Sequence, residues 1–500
     1  MSQTHLFVQQ LGFEYPGTMS PLFEDLHLTC STGWTGICGA NGAGKSTLLQ
    51  LISGALEPDT GTVNVPGELI YCEQRTDDPP ENARAFCDDF SPEACILQGK
   101  LGIEAEWLDR WTTLSHGERK RVQIGTALWE SPDVLLVDEP TNHLDVDSTE
   151  LLIQSLEEYA GIGLIVTHDR SLLDRLCYQC LWLESGQATI RSGGYSAGKQ
   201  AIEQEAEISM NLENKLKSEI ERLSRTASHY RREASRAHQK RSKRGLNPKD
   251  HDGRDKIDLA RVSGKDGQDG RRLRQMEGRM QQLSQKRDAV KSRKDHDMGI
   301  WMDFSPSARN YVLQQPSSVL LLGDGRRLLL PRLDVKPTEK IMLQGPNGCG
   351  KSTLIRYIVE RHLLPKDELL YLPQEIGIVE AQEILRRVKT TPNGELGKLM
   401  RIVRRLGSDP KRLLTSKNPS PGELRKLLLA LGILKQPGFL VIDEPTNHLD
   451  LPSIICLEEA LRECPCGYLL VSHDKRFLEA LGETCWEMIP TGREIHLEIS

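Results

Sequence analysis

Val137-Asp-Glu-Pro-Thr-Asn-His-Leu-Asp145 returns in the same chain as Ile442-Asp-Glu-Pro-Thr-Asn-His-Leu-Asp450, with Asp138 and Asp443 305 positions apart. Other pairs keep nearly that offset: Lys45 and Lys351 differ by 306, Ser115 and Ser420 by 305, His168 and His473 by 305, Gln74 and Gln374 by 300. So long a period marks a duplicated domain, not a solenoid, whose repeats run about 20 to 50 residues. Each string is preceded by apolar residues, 134–137 or 439–442. That places each Asp-Glu pair at the carboxyl edge of a sheet strand, where α/β folds bind ligands.

Upstream, Gly39-Ala-Asn41-Gly42-Ala-Gly44-Lys45-Ser46-Thr47 and Gly345-Pro-Asn347-Gly348-Cys-Gly350-Lys351-Ser352-Thr353 both match G-x-x-x-x-G-K-[ST]. Glycines let backbone N–H groups close around phosphates, and the following helix N-terminus favours negative charge. Lys45 and Lys351 would neutralise the β/γ oxygens of ATP, with Ser46 and Ser352 on Mg²⁺. Asp138 and Asp443 are then Mg²⁺-side carboxylates. Glu139 and Glu444, next in line, are placed to accept the proton of the attacking water. A lone Asp-Glu is usually surface charge; an apolar strand before each pair and a phosphate loop upstream favour the catalytic role.

Ser115-His-Gly117-Glu118 and Ser420-Pro-Gly422-Glu423 read as Ser-x-x-Glu capping boxes opening helices. Capping explains them by itself, but a capped helix N-terminus also holds an anion. Here the chain resembles the ATP-binding-cassette (ABC) ATPases, whose signature in one domain closes on the nucleotide held by the other. The resemblance implies two composite sites, Ser420 and Gly422 completing the one on Lys45, Ser115 and Gly117 the one on Lys351. It also assigns Gln74 and Gln374 to the glutamine loops at the metal and attacking water, and His168 and His473 to the switch histidines. Asp145 and Asp450 fall in the loop joining the sites. Tyr15 lies where the family stacks an aromatic on adenine; a strand-core tyrosine would look similar.

Residues 201–300 hold 25 Lys/Arg against 17 Asp/Glu, so this segment carries +8 in a chain of net charge −7. Leu216, Ile220, Leu223, Ala227, Tyr230, Ala234 and Ala237 alternate spacings of four and three, a coiled-coil seam. Leu273, Met276, Met280, Leu283 and Val290 repeat it with Arg287 interrupting, and Gly, Pro, Asn and Asp around 245–270 are expected to break helix between them. An antiparallel hairpin follows, whose first helix would reach roughly 50 Å at 1.5 Å per residue. The expected architecture is therefore α/β: two P-loop ABC ATPase domains, 1–198 and 301–500, joined by a basic helical-hairpin linker, 199–300.

Two cassettes, EPTNHLD twice, this linker, and no apolar run near the ~18 residues of a membrane span resemble the ABC-F class of translation factors and ribosome-protection ATPases. That resemblance implies a cytoplasmic, monomeric ATP hydrolase binding the ribosome at the tRNA exit site, its hairpin reaching rRNA and P-site tRNA. Lys240, Arg241, Lys243 and Arg244 at the hairpin turn could neutralise phosphates. A membrane-importer ATPase subunit is the alternative; its linker would be short, and no membrane partner is expected here. A repair or chromosome ATPase normally inserts its coiled coil inside a cassette.

Two departures point to unequal sites. Leu321 and Leu322 stand where the second copy should offer an aromatic, and Pro419 and Pro421 replace the usual Leu and Gly of the second signature. Gln74 and Ser115 are 41 residues apart, leaving no room for the arm some relatives insert. Twelve cysteines are scattered, and the tightest pair, Cys464-Pro-Cys466, has neither metal-ligand spacing nor a partner pair; all are expected as reduced thiols.

Overall fold

The computed structural model describes residues 5–17, 21–142, 144–184, 186–240, 265–290, 304–365, 367–408, 410, 413, 419–447 and 449–500. Two compact units result, residues 1–198 with 297–500, and residues 199–296. In the first unit each phosphate-loop strand lies inside a mainly parallel sheet. The six-stranded sheet runs Leu69–Cys72, Val134–Asp138, Ile162–Val166, Gly33–Gly39, Cys177–Glu184, Gln187–Ser192, only the last pair antiparallel. Val134–Asp138 and Ile162–Val166 are buried at every position, as expected of strands covered on both faces. The second cassette repeats this order from Leu369–Leu372 through Phe439–Asp443, Gly467–Val471 and Lys340–Gln344 to Thr484–Thr491. There the sheet continues through Glu494–Ile499 into Arg327–Leu330 and Ser318–Leu321, making eight strands. In the first cassette the N-terminal strands Leu6–Phe13 and Phe23–Cys30 instead join Thr60–Asn64 in a separate three-stranded antiparallel sheet.

A positive-φ glycine ends each phosphate loop, Gly44 and Gly350, both at φ 95°. A Cβ on Gly44 would lie 2.6 Å from the Phe23 ring, and one on Gly350 2.9 Å from Leu322. Helices Lys45–Ser53 and Lys351–Arg361 start directly after them. Both Ser-x-x-Glu strings form complete capping boxes, opening helices His116–Glu130 and Pro421–Leu434.

The second unit is built from helices Tyr195–Lys240 and Lys265–Val290. Leu216 and Ala227 are buried, with Ile220, Leu223, Leu273, Met276 and Met280 half-buried, so the two seams face each other. Arg279–Glu219 and Arg231–Glu277 ion pairs flank them. Residues 265–270, expected to break helix, lie inside the second helix: its glycines are tolerated at a modest cost in propensity. Arg241, Lys243 and Arg244 lie outside the described residues, as do the side chains of Ala234, Ala237, Lys240 and Val290.

Cys177-Tyr-Gln-Cys180 has Cys-x-x-Cys spacing, and Cys177 and Cys180 are buried beside Cys38 in the first cassette's core. No cluster of three or more His, Cys, Asp or Glu suited to a metal occurs among the described residues. Nor is any described helix long and apolar enough to cross a membrane.

Candidate functional site

The two cassettes meet across their phosphate loops. Asn41 N–H donates to Asp450 Oδ2 at 2.8 Å, and Asn347 N–H to Asp145 Oδ2 at 3.2 Å. Each aspartate also caps its own helix, accepting from Ser453 or Ser148, so a rigid helix start carries each cross-contact. Arg170 reaches Glu458 at 2.9 Å and Arg476 reaches Asp174 at 2.7 Å, adding charged links between the copies.

A cavity of about 570 Å³ lies at the first of these junctions. From the first cassette, Asn41, Gly42, Gly44, Lys45, Ser46, Thr47, Gln74, Asp138, Glu139 and His168 line it; from the second come Ser420, Gly422, Lys426, Gly407 and Ser408. Gly39 stands behind the loop, its carbonyl accepting from Lys45 Nζ at 2.9 Å. Tyr15 is partly exposed and hydrogen-bonds Thr47 through its hydroxyl at 3.0 Å.

The second junction is built differently. Lys351 Nζ donates to Gly345 O at 2.7 Å and Pro346 O at 3.0 Å, as Lys45 does in its loop. A cavity of about 320 Å³ beside it takes in Asp145, Gly345, Lys351 and His473, but its lining contains neither Ser115 nor Gly117. Gly348, Gly350, Ser352 and Thr353 occupy the matching loop and helix start; Leu321 is exposed and Leu322 buried over Gly350. Arg326, which the sequence did not single out, donates to the loop carbonyl of Gly348 at 2.6 Å.

Each catalytic-strand end repeats one geometry. Glu139 and Glu444 adopt left-handed backbone conformations, φ 45° and 48°, rare for glutamate. Their N–H groups bond Val166 O at 2.8 Å and Val471 O at 2.9 Å, holding the turn. His168 Nε2 lies 3.1 Å from Glu139 Oε1, and His473 Nε2 3.2 Å from Glu444 Oε1. Burial pushes the Glu139 carboxyl up to about 8 and Glu444 to about 7. It also pulls His168 down to about 3 and His473 to about 4, so both imidazoles are neutral at physiological pH.

Asp138 is buried with Oδ1 lacking any hydrogen-bond partner among the described residues, and burial raises its pKa against the Ser46 bond that lowers it. Asp443 and Ser352 repeat the pair. A buried carboxylate oxygen beside a hydroxyl, open to a phosphate-loop cavity, fits Mg²⁺, which takes one or two carboxylates plus substrate phosphates.

Sequence reasoning missed two buried cations behind these ends. Lys120 Nζ donates to Glu73 O and, at 3.0 Å, to Asp138 O. Arg425 donates to Glu444 O at 2.6 Å, Asn447 O at 2.9 Å, Pro373 O at 3.1 Å and Gln374 O. Each ties a glutamine loop to its own catalytic strand. The available signal was a basic residue five positions after each signature serine, on a helix otherwise turned toward the core.

Residues 23–142 and 331–447 each match the family model described as ABC transporter. The chain is 29% identical over 458 residues to the ribosome protection protein VmlR of Bacillus subtilis, covering 89% of this chain and 79% of that protein. It is 28% identical over 480 residues to the erythromycin resistance ATP-binding protein MsrA of Staphylococcus epidermidis, covering 92% of each. Both matched segments are ATP-binding-cassette domains, and over most of its length the chain is similar to these ABC-F class proteins. The ATP-binding protein Uup of Escherichia coli is 25% identical over 514 residues, 90% of this chain and 75% of that protein. Among solved structures, the archaeal ribosome recycling factor ABCE1 in complex with the stalk protein aP1 superposes with TM-score 0.60 at 18% identity. It covers 98% of this chain and 89% of that one, a likeness of fold.

Proposed function

We propose that this protein hydrolyses ATP in two composite sites and uses the cycle to bind and leave the ribosome, as a ribosome-protection or translation factor. The observation that carries the ATPase reading is the cavity joining Lys45, Asp138 and Glu139 to Ser420 and Gly422 of the other cassette. The ribosomal assignment rests on likeness to proteins named for ribosome protection and erythromycin resistance.

In this reading Lys45 and Lys351, with the loop N–H groups, bind the ATP phosphates. Ser46 with Asp138, and Ser352 with Asp443, would hold Mg²⁺ with Gln74 and Gln374 nearby, the ion supplying charge neutralisation at the β/γ oxygens. Glu139 and Glu444 orient the attacking water and take its proton; a carboxylate lifted toward neutral pH by burial is a stronger base than an exposed one. His168 and His473 stand with Nε2 against those carboxylates, and the His473 backbone N–H donates to Glu444 Oε2 at 3.3 Å. Ser420 and Gly422 close the first site from the opposite cassette, excluding water other than the nucleophile. Ser115 and Gly117 do the same for the second after a further approach of the cassettes. The hairpin, residues 199–300, is the segment that contacts rRNA and P-site tRNA.

ATP turnover by the purified chain, measured with and without purified ribosomes, tests this. Stimulation by ribosomes supports the proposal; turnover that responds to membranes and ignores ribosomes contradicts it.

A further inference from the structure

The helical arms of the two cassettes carry opposite charge. From Ala83 to Thr113 the first cassette has three Lys/Arg and six Asp/Glu; from Ile378 to Arg405 the second has seven Lys/Arg and three Asp/Glu. This second arm is helices Ile378–Thr390 and Asn393–Arg405. Ile384, Val388, Leu399 and Val403 face inward and pack on the signature helix Pro421–Leu434. The opposite face exposes Lys389, Lys398, Arg401 and Arg404. Arg386 and Arg387 also face outward, sharing Glu383. The cassettes around it make up most of a chain with net charge −7, so this face is a local reversal of sign.

The arm also reaches the first nucleotide cavity. Gly407 and Ser408, immediately after its second helix, line that cavity opposite Lys45. Leu406 O accepts from Ser453 Oγ at 2.7 Å, and Ser453 N–H donates to Asp450 Oδ1 at 3.1 Å. Asp450 in turn accepts from Asn41 in the first phosphate loop. An unbroken path of packed helix and hydrogen bonds therefore runs from the basic face to the loop holding Lys45.

We propose that the exposed face formed by Lys389, Lys398, Arg401 and Arg404 is an RNA-docking surface that communicates with the Lys45 site. Charge complementarity selects the partner. Lys398 and Arg401 stand one turn apart on an exposed helix face, a spacing suited to successive backbone phosphates, and the face has no exposed aromatic to read bases. Docking is therefore to RNA backbone and insensitive to sequence. The inference rests on the ribosome-binding reading and names the part of the cassettes that touches RNA.

The test uses the full chain carrying Glu139→Gln and Glu444→Gln, pelleted with purified bacterial ribosomes in ATP over a salt series. Adding Lys398→Glu with Arg401→Glu should weaken retention by about tenfold or more and lower the log–log salt slope by about 1.5, since each lost phosphate contact removes roughly 0.7 to 0.9. Lys398→Gln with Arg401→Gln should show the same sense at smaller size, and reversal of Arg332 and Lys435, exposed elsewhere on this cassette, should change little. With Glu444→Gln alone, leaving the first site active, the charge reversal should abolish ribosome stimulation and spare basal turnover. Parent retention with unchanged affinity and slope in the reversed variant overturns the RNA face and leaves the ribosome reading standing. Loss of parent retention overturns both. Crosslinks from position 401 that resist ribonuclease and contain ribosomal protein overturn RNA as the partner.

Discussion

Arg425→Met removes a guanidinium that is 3% exposed and bonded to four carbonyls, two on the glutamine-loop side and two after the second catalytic strand. Methionine keeps much of the side-chain volume, so loss of bonding dominates over loss of packing. Leaving a buried carbonyl unsatisfied costs about 1 to 3 kcal/mol, and the contacts to Glu444 and Pro373 are the most buried. Relief of guanidinium burial, which lowers the Arg425 pKa, offsets part of this. A net loss of about 3 kcal/mol follows for the second cassette. The kinetic effect is separate: Arg425 fixes Glu444 without touching nucleotide, and a displacement near 1 Å costs about 100-fold in rate. The assay is ATP turnover in a Glu139→Gln background, where only the second site works, beside calorimetric melting. kcat should fall about 100-fold with KM within a few-fold. A destabilised variant that keeps its kcat would make Arg425 a fold residue only and refute this reasoning.

Glu139→Gln leaves Glu444 active, and kcat should then rise with pH, centred near 7; Glu444→Gln leaves Glu139, with the rise centred near 8. The sign follows because raised carboxylates become competent bases only as they ionise, while both histidines are already neutral; rates flat from about pH 6 to 9 would oppose it. Asp450→Ala should weaken ATP binding at the first site about tenfold, because it breaks the Asn41 contact and strands buried Lys426, 3.5 Å away. Asp145→Ala should cost less at the second site, its aspartate being half-exposed with a 3.2 Å contact; equal losses in nucleotide titrations would refute the asymmetry.

Much of this was legible because repetition removes chance. One Asp-Glu or one histidine is ambiguous, but His168 and His473 each fall beside a buried glutamate at the same place in two copies. The phosphate loops, capping boxes and alternation of strand and helix are local patterns, so sequence spacing suffices for them. The links through Lys120 and Arg425 were not legible, because they join groups brought together only by sheet order, and a basic residue on a helix usually reads as solvated. The unequal cavities were foreshadowed by Pro421 and by Leu321 and Leu322, yet the absence of Ser115 from the second cavity depends on the spacing between cassettes. The charge reversal between the helical arms needed burial to separate exposed Lys398 and Arg401 from half-buried Arg405.

The central claim is that ATP-driven closure of the two cassettes creates the ribosome-binding form. Replacing Glu139 and Glu444 by glutamine keeps the phosphate loops and cross-contacts but removes the proton acceptors, so the closed form should persist. Pelleting this double variant with purified ribosomes and, in parallel, purified membranes measures the claim directly. Retention on ribosomes with ATP and release with ADP is the expected result; retention on membranes alone, or binding to ribosomes indifferent to nucleotide, would contradict it.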